Sequence, residues 1–244
     1  MNPLTRATVT AVAATAIATG GMLGVRWLAI AVLATSFVLA IGWPVLTWTP
    51  QWITSSVVVL GTGSLATIGV LLGRDEPFLR HMVVALAVGV IATLVLEVIR
   101  PSPQGQVLTG VAGTISGATV AASGAAWIAA ARTPVAEELV IAGAVALAIA
   151  AVASVLTTKI AVNSVLAIAS ATGFGIASER LFESITWYGG ALIGFLSASS
   201  FLAIHELTRR DTNNTSMWAG IASGITPVTV GGALVYIGGR ILVV

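Results

Sequence analysis

The sequence predicts an all-α protein, a polytopic bundle of eight to nine transmembrane helices, and two observations lead to that prediction. First, hydrophobic residues make up 57% and charged residues only 8% of the 244 residues, and the mean hydropathy is +1.02. A water-soluble domain with so few charges could not cover its surface. Second, almost every part of the chain belongs to apolar runs near the roughly 20 residues that a membrane-spanning helix needs. We therefore expect residues 1–244 to form a single integral membrane helical domain.

Charges, prolines and glycine pairs divide the chain into nine apolar segments. They lie near residues 7–24, 27–46, 54–73, 81–99, 107–131, 135–156, 160–178, 187–205 and 217–241. The first segment is rich in alanine and threonine, which makes it marginal for insertion into a membrane. The first two segments therefore form either two spans or one span with an interfacial lead-in, which gives nine or eight helices.

Short polar connections separate the later segments and define their boundaries. They are RDEPFLRH at 74–81, RPSPQGQ at 100–106, ARTP at 131–134, ERLFESIT at 179–186 and HELTRRDTNNTSM at 205–217. Proline and charge end helices or set their first turns. None of these connections is long enough to form a binding domain.

Composition excludes several classes of function. The net charge of +2 comes from eleven basic and nine acidic residues that lie almost entirely between the apolar runs or at their ends, so nucleic-acid binding has no support. The absence of cysteine removes disulfides, thiolate metal sites and cysteine nucleophiles. With only two histidines, His81 and His205, we expect no metal site and no cofactor.

The lysine and arginine residues are almost evenly divided between the two sides of a nine-helix bundle. One side collects Arg26, Arg74, Arg80, Arg132, Arg180 and Arg240, and the other collects Arg6, Arg100, Lys159, Arg209 and Arg210. Because cytoplasmic loops carry the excess of basic residues, six against five favours the first set as cytoplasmic by one residue.

Small residues recur at four-residue spacing in several segments. They are Gly69 and Gly73, then Gly113, Gly117 and Ala121, then Gly190 and Gly194, and finally Gly220 and Gly224. Small residues on one helix face allow backbones to approach closely, where lipid provides no hydrophobic drive for association. The spacing predicts a tightly packed bundle.

Two adjacent glutamates, Glu137 and Glu138, stand at the front of the apolar run PVAEELVIAGAV. Thr133 can serve as the N-cap and Pro134 can occupy the first helical position, so acids in the first turns would face the positive end of the helix. Alternatively, the pair lies deeper in the membrane, where carboxylates are costly and mark functional sites. In that hypothesis His205 completes the site.

PVAEELVIAG at 134–143 resembles the first motif of the membrane-embedded proteases related to CAAX-prenyl endopeptidases. In that family an arginine follows the second glutamate by four positions and then a glycine; here Gly143 matches, but Ala142 stands at the arginine position. His205 can be matched to a later histidine of the family, but Arg209 stands where that motif has asparagine. The resemblance implies a membrane hydrolase that lacks most of the groups needed to hold or activate water.

Pro227 falls in the middle of the last segment, between Gly224 and the pair Gly231–Gly232. Proline removes a backbone hydrogen bond and should kink or break a helix. Transporters use broken helices to hold ions and substrates. Pro227, Thr226, Thr229 and Asn163 are therefore candidates for a substrate path.

Nearly the whole chain also resembles a group of uncharacterised polytopic membrane proteins from high-GC Gram-positive bacteria. The resemblance lies in GWPVLTWTP at 42–50, TISGATVAASGAAW at 114–127 and ITPVTVGGALVYIGGRI at 225–241. It implies a multi-pass protein of the bacterial plasma membrane but no reaction.

Among function classes, the sequence favours a non-enzymatic permease for a small molecule or an ion. The alternative is a non-catalytic scaffold or partner subunit of an envelope membrane complex, which would need only helix surfaces and a membrane protein partner. A degenerate membrane hydrolase ranks third. In each case the lipid bilayer is the first partner.

Overall fold

The computed structural model describes residues 3–73, 77–133, 137–182, 185–210 and 216–242, and these residues are helical apart from short connections. The helices are α1 (Pro3–Leu23), α2 (Val25–Leu46), α3 (Trp52–Leu72), α4 (Arg80–Ile99), α5 (Val107–Ser123), α6 (Ala125–Arg132), α7 (Glu137–Ala153), α8 (Ile160–Ala177), α9 (Trp187–Arg210) and α10 (Met217–Leu242). A short 3-10 turn, Ser178–Arg180, follows α8. The predicted helical bundle is confirmed.

Seven helical stretches in the described part of the chain are long and apolar enough to cross a membrane, by length and composition. They are α2, α3, α4, α5 continued by α6, α8, α9 and α10. α1 and α7 are not among these candidate spans, each for its own reason. α1 has 21 residues but is rich in alanine and threonine, whereas α7 is apolar but has only 17 described residues. The number of spans is therefore seven to nine.

The predicted segments coincide with these helices, with four main differences. α1 begins at Pro3, four residues before the predicted start at 7. α5 and α6 are separated by a turn at Gly124 inside one predicted segment. α7 ends at Ala153, before the predicted limit of 156, and the predicted start at 135 lies outside the described residues. α9 continues to Arg210, five residues beyond the predicted end at 205. The apolar pattern marks the stretch suited to the hydrocarbon region, and helical hydrogen bonding continues past it.

Successive long helical stretches, with α1 and α7 included, run in opposite directions, so the bundle has two ends. The first end comprises residues 3–6, 46–52, 99–110, 154–164, 202–210 and 216–220, and the second end comprises residues 20–26, 71–73, 77–82, 130–133, 137–140, 175–182, 185–188 and 238–242. For example, Leu4 lines a cleft with Ser154 and His205 at the first end, whereas Gly21 packs against Val140 at the second.

α10 lies at the centre of the bundle, and α4 and α8 lie at its periphery. α10 contacts α1, α2, α5, α6, α7 and α9, and 72% of its apolar stretch is buried. In α4 and α8 the corresponding share is 17%. The outward faces of these two helices are apolar, as expected for surfaces that meet lipid.

Arg132 fastens α6 to the end of α3. Its guanidinium donates hydrogen bonds to the carbonyl oxygens of Val70, Leu71 and Gly73, which belong to the last turn of α3 and its cap. It also lies over the ring of Phe78, 4.4 Å from the ring centre. A cation is favourable at a helix C-terminus, where carbonyl groups lack intrahelical partners.

α8 and α9 approach each other most closely at Gly175 and Gly190. A Cβ atom on either glycine would overlap the backbone carbonyl of the other, and a Cβ atom on Gly194 would overlap the carbonyl of Ala171. Gly190 and Gly194 therefore have the packing role that their four-residue spacing predicts. Their partner Gly175 was not part of that pattern.

We predict that Gly175→Ala destabilises the protein by about 2 kcal/mol or more, because the added methyl group has no space and α8 must move away from α9. Gly173→Ala is the matched control: that position has open space around it, so the change should be neutral or stabilise the helix by roughly 0.5–1 kcal/mol. Thermal unfolding of both variants in detergent measures the difference. Equal melting temperatures would show that the α8–α9 contact is looser than described.

Candidate functional site

α10 remains one continuous helix through Pro227. Of the two expected effects of Pro227, a kink or a break, the continuous helix excludes the break. The Thr226 hydroxyl donates to the carbonyl oxygen of Ala222 at 2.8 Å, and the Thr229 hydroxyl donates to that of Thr226 at 2.9 Å. Both hydroxyl groups thus bond within their own helix.

Side chains from three neighbouring helices donate hydrogen bonds to backbone carbonyls of α10 around Pro227. The Thr10 hydroxyl bonds the Gly224 carbonyl at 2.6 Å. The indole Nε1 of Trp127 bonds the Val228 carbonyl at 2.7 Å. The Ser123 hydroxyl lies 3.2 Å from the Thr229 carbonyl. Pro227 has no amide to bond the Ser223 carbonyl four residues earlier. The three donors reach other carbonyls, so they tie α10 to α1, α5 and α6 on both sides of the proline and do not replace the lost bond.

The candidate path residues of α10 are enclosed in the described conformation. Thr226 is 6% exposed and Thr229 is 1% exposed, and Pro227 is buried. Trp127, with 1% exposure, closes one side because its ring packs against Gly232. This region is a packed core and not an open path.

A cleft of about 710 Å³ opens at the first end of the bundle, between α1, α7, α8 and α9. It is lined by Pro3, Leu4, Ser154, Val155, Thr157, Thr158, Ile160, Asn163, Ser164, Leu202 and His205. Two residues proposed for different roles, Asn163 and His205, therefore line the same cleft. Hydroxyl groups from the turn after α7 and from α8 accompany them.

Asn163 organises the turn that forms one side of the cleft. Its Oδ1 accepts hydrogen bonds from the Thr157 amide at 2.9 Å and the Thr157 hydroxyl at 2.7 Å. Its Nδ2 donates to the Thr157 carbonyl at 2.8 Å. Asn163 therefore lies near the end of the bundle and holds the cleft in shape, whereas Thr226 and Thr229 lie in the core.

His205 contributes an aromatic and polar surface to the opposite side of the cleft. Its ring stacks on Phe201, with ring centres 5.5 Å apart and an angle of 21° between the planes. Phe201 is 1% exposed, so the stacking fixes the histidine against the core. The half-buried imidazole can donate and accept hydrogen bonds toward a molecule in the cleft.

An apolar groove of about 460 Å³ lies beside the cleft, between α1, α7 and α8. It is lined mainly by alanine and aliphatic residues, including Ala11, Val145, Ala148, Val152 and Leu156, with hydroxyl groups at Thr15 and Ser170. Groove and cleft are adjacent because Ala153 and Leu156 line one and the intervening Ser154 and Val155 line the other. A polar cavity thus borders an apolar one.

Glu137 and Glu138 lie far from His205. They begin α7 at the second end of the bundle, where Glu137 is exposed and Glu138 half-buried. The Ser197 hydroxyl bonds the Gly143 carbonyl at 3.3 Å, which fixes the register of α7 and α9. Counting 1.5 Å per residue from that level, Glu137 lies roughly 9 Å toward the second end and His205 roughly 12 Å toward the first. The acids and the histidine therefore do not form the combined site that a hydrolase needs.

Thr133, expected to cap α7, ends the preceding helix α6, and the amides that it would cap lie outside the described residues. Its hydroxyl donates to the carbonyl oxygen of Ala129 at 3.0 Å, and its amide donates to Ala130 at 3.1 Å. Pro134, the expected first residue of the next helix, lies outside the described residues. Both glutamates still occupy the first turn of α7, where the helix dipole favours acids.

Sequence reasoning missed the hydroxyl residues Ser154, Thr157 and Ser164 of the cleft. The available signal was the polar run TTK at 157–159, which separates two apolar segments and is followed by Asn163 and Ser164. Such a run reads as an ordinary connection. Only the fold shows that it lies beside the start of α1 and the end of α9.

We predict that Thr10→Val lowers the free energy of unfolding by about 1 kcal/mol, because the Gly224 carbonyl beside the Pro227 turn loses a buried hydrogen bond. Thr19→Val on the same helix is the control, since the Thr19 side chain is exposed and its hydroxyl bonds only its own helix. Unfolding of both variants in mixed micelles measures the two costs. If they are equal, the bond from Thr10 to α10 contributes nothing specific.

The described residues contain no group of three or more His, Cys, Asp or Glu side chains that could hold a metal ion. Comparison with known proteins finds no matching family model, no similar curated protein and no similar solved structure. The groups that face the cleft are hydroxyl, amide and imidazole groups, together with apolar side chains.

Proposed function

We propose that this protein is a small-molecule permease of the bacterial plasma membrane, with eight to nine helices crossing the bilayer, and that its solute binds first in the cleft. The cleft of about 710 Å³ with Asn163 and His205 in its lining is the observation on which the proposal rests. Binding sites for small molecules occupy roughly 300–1,000 Å³ and combine apolar walls with a few fixed polar groups. The volume suits a small organic molecule better than a bare ion.

The adjoining apolar groove favours a solute that has an apolar part as well as a polar one. Groove and cleft share the end of α7, where Ala153 and Ser154 face different cavities. A solute bridging them would place polar groups near His205 and an apolar group beside Ala148 or Val152. The hydrogen bonds to Thr157 already fix the Asn163 side chain, so little conformational entropy is lost when a solute binds to it. This preorganisation supports a role of Asn163 in recognition.

Transport requires the solute to pass from the cleft toward the middle of α10. Leu4 lines the cleft, and Thr10 lies six residues further along α1. At the helical rise per residue, the Thr10–Gly224 contact is therefore about 9 Å farther from the first end than Leu4. Thr226 and Thr229 follow on α10. In the described conformation Thr226 and Thr229 are buried, so the path is closed there. Helices bend most readily at proline and at glycine, which α10 has at Pro227 and at the glycines that follow it. We propose that bending there opens the path.

The proposal is tested with single cysteines, because the natural chain contains none. Thr226→Cys reports on the path, and Ser164→Cys reports on the half-buried wall of the cleft. Ala66→Cys is the matched control, at a fully buried position in α3 away from the path. The protein is reconstituted in lipid vesicles and treated with a small, water-soluble methanethiosulfonate reagent.

Thr226→Cys should react at roughly one-thousandth to one-tenth of the Ser164→Cys rate, the range given by an open state populated at 0.1–10%. Ala66→Cys should remain unmodified. If Thr226→Cys is as inert as Ala66→Cys, the core is dry and a non-catalytic partner subunit is the better assignment. If Thr226→Cys and Ala66→Cys are both modified and at the same rate, the whole bundle is loosening. That result would also reject the permease proposal.

A further inference from the structure

A second polar site lies at the first end, on helices that do not line the cleft. Glu97 is the only acid in α4, the most apolar of the seven candidate spanning stretches. Its side chain lines a small cavity between α3, α4 and α5, together with Thr49, Gln51, Thr54, Ser55, Val58, Thr93, Ser102, Gly110 and Thr114. A carboxylate on a helix of this kind is costly in lipid and marks a functional site by default.

The turn after α4 holds the carboxylate in place. One Glu97 oxygen accepts the Ser102 amide at 2.6 Å, and the other accepts the Ser102 hydroxyl at 3.0 Å. Gln51 bonds the Arg100 carbonyl, which ties this turn to α3. A carboxylate can accept about four hydrogen bonds, so the two bonds from Ser102 leave lone pairs for a ligand in the cavity.

Three of the hydroxyl groups around Glu97, those of Thr49, Thr93 and Ser102, present lone pairs because their hydrogens bond elsewhere. Thr93 donates to the Gly89 carbonyl at 2.8 Å, and Ser102 donates to Glu97. Thr47 donates to the Trp43 carbonyl at 3.0 Å, so the hydrogen between Thr47 and Thr49, 2.8 Å apart, comes from Thr49. The cavity is therefore rich in acceptor oxygens and has one fixed negative charge.

Ser55 provides an independent observation that points to a ligand. The residue is 1% exposed and lines the cavity, and its Oγ is buried without a hydrogen-bond partner. A buried hydroxyl without a hydrogen-bond partner destabilises the folded chain. A ligand in the cavity that binds oxygen would remove that cost.

The size and charge of the cavity define the chemical class of the ligand. Its volume is about 10 Å³, the space of one water-sized species. One carboxylate balances one positive charge, and oxygen ligands suit hard cations better than transition metals. Calcium takes six to eight oxygen ligands and transition metals prefer imidazole or thiolate, whereas this cavity has one carboxylate and several hydroxyl groups. A small monovalent cation fits both the charge and the space.

We propose that Glu97 and Ser55, with the hydroxyl groups of Thr49 and Thr93, bind a sodium-sized monovalent cation between α3, α4 and α5. The cation completes the coordination of Ser55 and neutralises Glu97 near the end of the bundle. This site does not depend on the cleft or on the proposed transport activity, because the two sites are lined by different helices.

The test measures thermal unfolding of the full chain in detergent, with sodium chloride compared with N-methylglucamine chloride at equal ionic strength. Sodium should raise the melting temperature saturably, by at least ~3 °C near saturation. Ser55→Ala and Glu97→Gln should lose this rise. Ser56→Ala is the matched control, since Ser56 also has a buried Oγ without a partner but does not line the cavity, and it should keep the full rise.

Equal melting temperatures of the natural chain in the two salts would overturn the proposal and leave a water molecule in the cavity. A rise of the same size in Ser55→Ala would also overturn it, because sodium would then bind elsewhere. If Glu97→Gln does not fold, Ser55→Ala still decides the outcome. Binding of radioactive sodium to the natural chain and to Ser55→Ala provides the second readout, and the cysteine reactions at Thr226 test transport separately.

Discussion

Direct contact between helix backbones is the constraint on which the rest of this structure depends. Lipid tails are as apolar as the side chains of the bundle, so helices gain little by hiding apolar surface from lipid and must gain from close packing instead. Gly175 and Gly190 bring α8 and α9 into backbone contact, and Gly42 brings α2 against the Trp218 carbonyl at the start of α10. A larger residue at any of these positions would separate helices that have no other strong reason to associate.

The same constraint explains why the polar groups at the centre of the bundle serve the architecture. Trp127 fills the space above Gly232 and also donates to the Val228 carbonyl, so one side chain packs against α10 and satisfies its backbone. Thr10 and Ser123 donate to other carbonyls of the same helix. These donors bond backbone carbonyls of α10 on both sides of Pro227, as polar side chains do between membrane helices. The proposed functional groups lie instead toward the first end, where side chains can meet water.

Much of the fold could be predicted from the sequence, because apolar runs of spanning length and the charges between them are local properties of the chain. The hydrogen bonds that tie α10 to its neighbours could not be predicted in this way. The donor to Gly224 is 214 residues away, at Thr10, and the donor to Val228 is 101 residues away, at Trp127. The role of Asn163 could not be predicted either. Its position in an apolar segment suggests a polar group inside the bundle, and the local sequence does not reveal that it bonds the turn at Thr157.

Glu97 illustrates the same limit at short range. Its spacing from Arg100 predicts a pair at a helix end, but the carboxylate turns toward Ser102 and the α3–α5 interface. What decides its role is the set of acceptor oxygens around it, which come from three separate segments of the chain. A single acid at the end of a very apolar helix is the sequence signal, and it becomes informative only when Ser55 is found beside it.

The proposed cleft and the proposed cation site occupy the same end of the bundle but different groups of helices. α1, α7, α8 and α9 surround the cleft, whereas α3, α4 and α5 surround Glu97. α2 and α10 lie between the two groups and touch both. Because the backbones of α2 and α10 are in contact at Gly42, bending of α10 at Pro227 cannot leave α2 unchanged. α5, which lines the cation cavity, also touches α10 directly, and its Ser123 hydroxyl bonds the Thr229 carbonyl. α10 is therefore the element through which the two proposed sites are connected.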